Sequence, residues 1–455
     1  MQHALDVSAV ARTGSSGIFG GQFCQQYSDS ALLGVYLVTS RARGGRRRAN
    51  VTVVALSKVR LSSRAIEMPA SPIRRLVPYA DRAKARGIKV YHLNIGQPDI
   101  ETPAEMMNGY RDVNIKVLSY GPSQGLENYI DALAQYYGSV GINVRAQDIM
   151  VTTGGSEAIS FALDVVADAG DEVIVPEPFY SNYAGFAATA CVKLVPVTCL
   201  AETGFALPPK AEFERAITSR TRAIIYSNPG NPTGAVYTRS ELEMLASLCA
   251  EHELYLIGDE AYREFIYEDD TEHTSVLNLA GIEDRAILVD SVSKRYSACG
   301  ARVGCLISRN TELMAAVLKF GQARLCPPTV DQLAAMAAVQ VPDSYFTAVR
   351  REYQDRRDLV CDAIAKIPGA VCRKPGGAFY VVAKLPISDG EEFAIFMLEE
   401  FQLNNESVMV APADGFYATP GKGKDEVRIA YVLNCDDLAR AMKILAAGVE
   451  AYKRK

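Results

Sequence analysis

From about residue 105 onward, apolar runs of four to six residues alternate with stretches of helical spacing. The segments Asp148–Thr153 (DIMVTT), Glu172–Val175, Ala223–Ser227 (AIIYS), Leu254–Ile257, Ala286–Asp290 and Arg302–Ser308 read as short strands. Ser156–Ala167 and Ser240–His252 read as helices, the second opened by Ser240 and Glu243 at capping-box spacing. Strands that are apolar throughout, rather than on alternate positions, are covered on both faces. The pattern therefore predicts an α/β fold: a large domain with a mostly parallel sheet clothed by helices. Ligands in such sheets sit outside the carboxyl ends of the strands, which directs attention to the residues just after each run.

Beyond about residue 340 the pattern changes. A charged helix over Tyr345–Ile367, a Pro375-Gly376-Gly377 turn, the strand-like AFYVVAKL, a helix over Glu391–Phe401, the run VRIAYVL and a helix over Asp436–Lys453 predict a smaller α+β domain. Residues 1–65 differ again, with nine basic residues, including Arg46, Arg47 and Arg48, against two acidic ones, Asp6 and Asp29. Arg- and Ser-rich, acid-poor composition resembles a transit peptide. A mis-assigned start or a disordered tail fits it better, because no amphipathic helical period is clear. The first reading implies an organelle and the other two the cytoplasm.

Composition narrows the function. Lys and Arg total 48 against 53 Asp and Glu, so no basic excess points to nucleic acid. No apolar run is long enough to span a bilayer; the longest near the start is Ala31–Val38. Ten cysteines are scattered without a Cys-x-x-Cys, which fits a reducing compartment, and four unpaired histidines offer no metal site.

Five segments after the runs carry unusual chemistry together. Gly154-Gly155-Ser156-Glu157 opens a helix, where backbone N–H groups and the helix dipole favour an anion, although a tight strand-to-helix turn would use glycine too. Asn228-Pro-Gly-Asn-Pro-Thr-Gly234 forms a rigid turn able to aim an amide side chain. Asp259-Glu260-Ala261-Tyr262 places a carboxylate at a buried strand end, where it needs a cation unless it caps a helix. Ser291-Val-Ser-Lys294 followed by Gly300-Ala-Arg302-Val-Gly304 sets a lysine beside an arginine whose fork suits phosphate; such a lysine can become a Schiff-base nucleophile. Arg428, inside VRIAYVL, requires an anionic partner, either a ligand or an intradomain carboxylate.

Together these are the parts of a pyridoxal phosphate site. Ser-x-Ser-Lys with Gly-x-Arg-x-Gly, and Asn-Pro-x-Asn-Pro-Thr-Gly ahead of Asp-Glu-x-Tyr, resemble the class I/II aminotransferases, fold type I enzymes similar to aspartate aminotransferases, over about residues 68 to 453. The resemblance implies a large cofactor-binding domain over 106–340 and a small domain built from 66–105 and 341–455. It implies that Lys294 holds the cofactor covalently and moves the substrate proton, and that Asp259 keeps the pyridine nitrogen protonated. Asn231 and Tyr262 would bond the phenolic oxygen, and Tyr180 would stack on the ring where relatives often have Trp. Gly155, Ser156, Ser291 and Arg302 would hold the phosphate, joined by Tyr120 from the other subunit of a homodimer. Arg428 would clamp the substrate α-carboxylate with help from the Gly96 backbone. Arg324, in GQARLCPP, is a candidate for a second substrate carboxylate, or else pairs with a carboxylate of its own helix. The implied reaction moves an amino group between an L-amino acid, aspartate first, and a 2-oxo acid such as 2-oxoglutarate. Aromatic or prephenate donors, a β-lyase reaction and an inactive regulatory protein are the alternatives.

Overall fold

The computed structural model describes residues 60–268 and 271–455, together with five short strands nearer the N-terminus. By its internal contacts the chain divides after Glu67. In the first unit, Ala9–Ala11 pairs antiparallel with Phe19–Gly21, and Gly34–Val38 runs antiparallel between Phe23–Cys24 and Thr52–Leu56. The rest of the basic N-terminal segment, and with it most of the evidence for a leader or a tail, lies outside the described residues.

The second unit is built on a seven-stranded sheet. Its strands run in the order Ile149–Thr152, Gly304–Ile307, Ala286–Ser291, Tyr255–Asp259, Thr221–Ser227, Glu172–Glu177, Lys193–Thr198. All neighbours are parallel except around Gly304–Ile307, which is antiparallel to both of its neighbours. Two apolar layers cover the sheet, and strand parity divides residues between them. Val151, Ile224, Leu256 and Leu288 pack with Leu133, Leu245 and Leu248 on one face. Met150, Ile225, Ile257 and Val289 pack with Ile159, Leu163 and Val317 on the other. Coverage on both faces is why these strands read as unbroken apolar runs.

A third apolar cluster joins Leu76, Ala83 and Val90 to Tyr353, Val360, Met397, Val408, Ile429 and Leu445. Lys89–His92 lies parallel to Glu406–Met409, and Tyr380–Lys384, Glu426–Ala430 and Ala411–Pro412 form a separate antiparallel sheet. The segment ending at Gly96 is thus sewn to elements more than three hundred residues later.

Two expectations need correction. The helix over Arg239–Glu251 is capped two residues earlier than read: Thr238 accepts the Glu241 N–H at 3.3 Å, and Glu241 accepts the Thr238 N–H at 2.7 Å. The S/T-x-x-E spacing occurs twice in this stretch, and Glu243 instead faces Arg239 at 3.6 Å. The strand expected over Arg302–Ser308 begins only at Gly304, because Arg302 takes a left-handed conformation with φ +55°.

Candidate active site

The carboxyl ends of the strands bring the conspicuous residues together. Ser227 lies opposite Asp259 in register, Asp259 opposite Val289, and Ser291 opposite Gly304, which in turn faces Thr152. Lys294 follows on the single-turn helix Val292–Arg295. Its Nζ donates to the Gly96 carbonyl at 2.9 Å and to Cys299 Sγ at 3.4 Å, so it is not a solvated loop lysine.

Asp259 is 6% exposed and, among the described residues, pairs with no cationic side chain at contact distance. One carboxylate oxygen accepts the Tyr183 hydroxyl at 2.7 Å and the other the Ala261 N–H at 3.2 Å. The second bond is the local cap that the sequence left open, but no helix follows it. Burial pushes the carboxyl up to about 6, against the opposing pull of these two hydrogen bonds. A cation held against Asp259 would reverse that penalty, and a protonated ring nitrogen is such a cation.

Arg428 is 2% exposed. Nη1 donates to Asn231 Oδ1 at 3.0 Å and Nη2 to the Asn94 carbonyl at 2.6 Å, while Nε has no partner. Its Cζ lies 4.7 Å from the Tyr380 ring centroid and 4.9 Å from that of Phe416. No carboxylate among the described residues pairs with it, and burial lowers its pKa. The intradomain salt bridge considered from sequence is therefore absent. A buried guanidinium with only neutral partners is a strong site for a carboxylate ligand.

The anion cradle is built from backbone. Gly154, with φ +74°, starts the helix Gly154–Val166, and a Cβ there would stand 2.6 Å from Arg302 Nη2. The guanidinium of Arg302 thus lies over the glycine turn, where its Nη1 donates to the Cys299 carbonyl at 3.1 Å. Gly155 and the half-buried Ser156 follow on the same turn. Ser291 faces this region, with its hydroxyl near Ser293 Oγ (2.8 Å) and the Val303 carbonyl (3.1 Å). Amide N–H groups, a hydroxyl and an arginine form a donor set that fits a phosphate.

Tyr262 and Tyr380 share a hydroxyl–hydroxyl hydrogen bond of 2.8 Å. Tyr180 stands edge-on to Tyr183 at 5.5 Å, and burial pushes its phenol up to about 12. Tyr120 is 80% exposed within an apolar strip that includes Val117 and Leu118. That strip borders a cleft of about 630 Å³ reaching Thr153 and Cys326.

Arg324 is placed differently from both readings offered by the sequence. Its Nε lies 3.3 Å from Glu157, a residue of the helix Gly154–Val166 rather than of its own helix. Nη2 donates to the Val151 carbonyl at 3.1 Å and, more weakly, to that of Ser123 at 3.4 Å. The guanidinium considered for a distal substrate carboxylate is thus shared with Glu157, while its Nη1 has no hydrogen-bond partner among the described residues.

Several neighbours escaped the sequence reading. Tyr183, Tyr380, Asn94 and Cys299 each touch a site residue, but Tyr183 comes from a helix, Tyr380 from the start of a strand, and Asn94 and Cys299 from loops, with no local charge to mark them. Asp290, Arg263 and Arg295 form a buried cluster behind Lys294. The aspartate ending the apolar run AILVD was a usable sign, of the same kind that singled out Arg428.

A parallel sheet with a lysine, a buried carboxylate and an anion cradle at its strand ends is the arrangement of the fold type I transferases. The sequence matches the aminotransferase class I and II family over residues 88–445, and the chain belongs to that family. Aspartate aminotransferase of Bacillus subtilis is 29% identical over 404 residues, covering 87% of this chain and all of the relative. Aspartate/prephenate aminotransferase of Thermus thermophilus is 30% identical over 392 residues, covering 85% and 98%. The structure of alanine aminotransferase from Pyrococcus furiosus superposes with a TM-score of 0.79 at 30% identity, covering 86% of this chain and all of that one. The chain is an aminotransferase, and aminotransferases of this family depend on pyridoxal phosphate.

Proposed function

We propose that this aminotransferase uses pyridoxal 5'-phosphate to move an amino group between an L-amino acid and a 2-oxo acid such as 2-oxoglutarate, with aspartate as the first donor to test. The observation that carries this reading is Arg428, buried without an anionic partner and tied to the same segment as Lys294. When bound, the cofactor supplies an electron sink for the substrate's α-carbon. Lys294 holds the cofactor and then carries a proton at Nζ to and from the substrate. Asp259 keeps a proton on the ring nitrogen, while Asn231 and Tyr262 orient the phenolic oxygen. Tyr180 covers one face of the ring. Gly155, Ser156, Ser291 and Arg302 fix the phosphate, and Arg428 orients the α-carboxylate. The exposed apolar strip around Tyr120 supports a homodimer in which Tyr120 completes the neighbour's phosphate site. The nine cysteines from Cys191 to Cys435 are unbridged, which supports a reducing compartment such as the cytoplasm.

A second reading of the donor has its own support. Arg324 lies against Glu157, which takes up part of its charge and favours a donor without a distal carboxylate, alanine or aromatic. Borohydride reduction of the yellow protein, followed by peptide mapping, tests the cofactor chemistry. The pyridoxyl group is expected on Lys294, and an adduct on another lysine would refute the assignment. Turnover of aspartate, alanine and phenylalanine with and without 2-oxoglutarate separates transamination from β-elimination and ranks the donors.

A further inference from the structure

Behind the turn that carries Lys294 lies a buried charge cluster that the roles above do not use. Asp290 is the penultimate residue of the strand Ala286–Ser291 and is 1% exposed. By parity it shares its sheet face with Leu288, which packs in the same layer as Tyr137 and Cys305, whereas Asp259 shares the opposite face with Ile257. A carboxylate in that layer needs compensation. Its Oδ2 accepts from Arg263 Nη2, from Arg295 Nη2 and from the Tyr137 hydroxyl at 2.7 Å, and its Oδ1 accepts the Ser291 N–H at 2.6 Å. Burial pushes the Asp290 carboxyl up, but the two arginines outweigh it and hold it below the usual range.

The connectivity gives this cluster its meaning. Arg295 is the residue after Lys294 on the same single turn, and Arg263 is the residue after Tyr262 in the turn that follows Asp259. One carboxylate therefore fastens the lysine segment and the carboxylate–tyrosine segment to a common point on the far side of the sheet. Tyr137 anchors that point to the helix Glu127–Ser139, and Glu264 supports Arg295 at 3.5 Å. An apolar pair would fill the space without desolvation cost, but it would not fix two separate segments at hydrogen-bond length. Errors of about 1 Å between a catalytic group and its reacting atoms are enough to slow a reaction on the order of 100-fold.

We propose that Asp290 is a positioning residue that sets the spacing of Lys294 against Asp259 and Tyr262 by holding Arg295 and Arg263 at once. The proposal rests on the roles given above to Lys294, Asp259 and Tyr262 and deepens them.

The test uses the cofactor-loaded protein and three variants. Asp290→Asn leaves both guanidiniums facing a neutral amide. Arg295→Lys keeps the charge but loses the fork. Tyr137→Phe removes one hydrogen bond and no charge. The kcat is expected to fall on the order of 10- to 100-fold in the first, less in the second and least in the third, with KM for the amino donor little changed. The pH midpoint of the bound cofactor's absorbance and, in the cofactor-free proteins, the rate at which trinitrobenzenesulfonate labels Lys294 should shift in the same order. If Asp290→Asn fails to fold, the other two variants decide. Unchanged kcat, absorbance midpoint and labelling in folded Arg295→Lys and Tyr137→Phe, or losses that track only the folded fraction, would overturn the positioning role. If the unsubstituted chain shows no cofactor absorbance, the cofactor reading fails, and the labelling comparison still decides the role of Asp290.

Discussion

Lys294 and Arg428 are tied to carbonyls two residues apart on one extended segment: Nζ of Lys294 to Gly96 and Nη2 of Arg428 to Asn94, at 2.9 and 2.6 Å. The two groups assigned to opposite ends of the substrate's α-carbon thus take their spacing from residues 94–96. Gly96 is indispensable to this arrangement, since a Cβ at that position would overlap the Tyr380 hydroxyl.

Gly96→Ala should therefore displace Tyr380 and break its hydrogen bond with Tyr262. The expected result is a rise in KM for every amino donor together with a fall in kcat, measured by steady-state kinetics. A Cβ there would also lie 2.3 and 2.4 Å from two ring carbons of Tyr380, so Gly96→Ala should stay defective with Tyr380→Phe and recover partly with Tyr380→Ala, which removes the ring.

Asp259→Asn should have opposite effects on catalysis and on stability. An amide cannot hold the ring-nitrogen proton, so transamination should lose about 3 kcal/mol of transition-state stabilisation. The folded-state pKa of Asp259 is raised from 3.8 to about 6, so the penalty on the cofactor-free fold is absent below about pH 4 and complete above about pH 6. The shift corresponds to about 3 kcal/mol. Thermal unfolding of the cofactor-free proteins should show Asp259→Asn to be the more stable at pH 7.5 and the advantage to vanish at pH 4.

Arg324→Ala separates two roles. Because Arg324 is held by Glu157 and the Val151 carbonyl, its loss should lower activity equally for aspartate and alanine. Melting should also occur earlier, by about 1–3 kcal/mol, because Val151 O and Glu157 lose a partner. A selective rise in KM for aspartate, of the order of 2–5 kcal/mol, would instead restore the reading in which Arg324 meets a second carboxylate.

A chain beginning at Ser62 should keep cofactor and turnover, since the composition breaks near that point and the contacts divide after Glu67. Gel filtration and the bound-cofactor spectrum check this, and loss of a soluble dimer would show that the basic segment is structural.

What the sequence revealed follows from where the physical signals are local. Asp259, Lys294 and Arg428 stand out because each puts a charge in or beside an apolar run, and the sheet delivers the strand-end residues to one edge. The edge strand Lys193–Thr198 left no such trace: it contains Pro196 and is only partly covered, so no unbroken apolar run marks it. The antiparallel insertion of Gly304–Ile307 between Ala286–Ser291 and Ile149–Thr152 was hidden in part because the second partner lies about 150 residues earlier. Arg263 and Arg295 carry no local signal in the sequence, and only the fold brings them to the same carboxylate. The pairing of Arg324 with Glu157 was hidden for the same reason, since Glu157 lies on a helix remote in sequence.

The stitching of Lys89–His92 beside Glu406–Met409 has a consequence for biosynthesis. A ribosome releases Asn94 and Gly96 long before Arg428, which is 334 residues farther along. The central sheet can close earlier from its own neighbouring strands, but the carboxylate clamp cannot form until the C-terminal elements emerge. Long-range closure of this kind is slow, and the early segment waits with its apolar face uncovered. Nascent chains arrested before residue 428 should therefore be able to hold a folded sheet and still lack a substrate site, making amino-acid recognition one of the last properties that the growing polypeptide acquires.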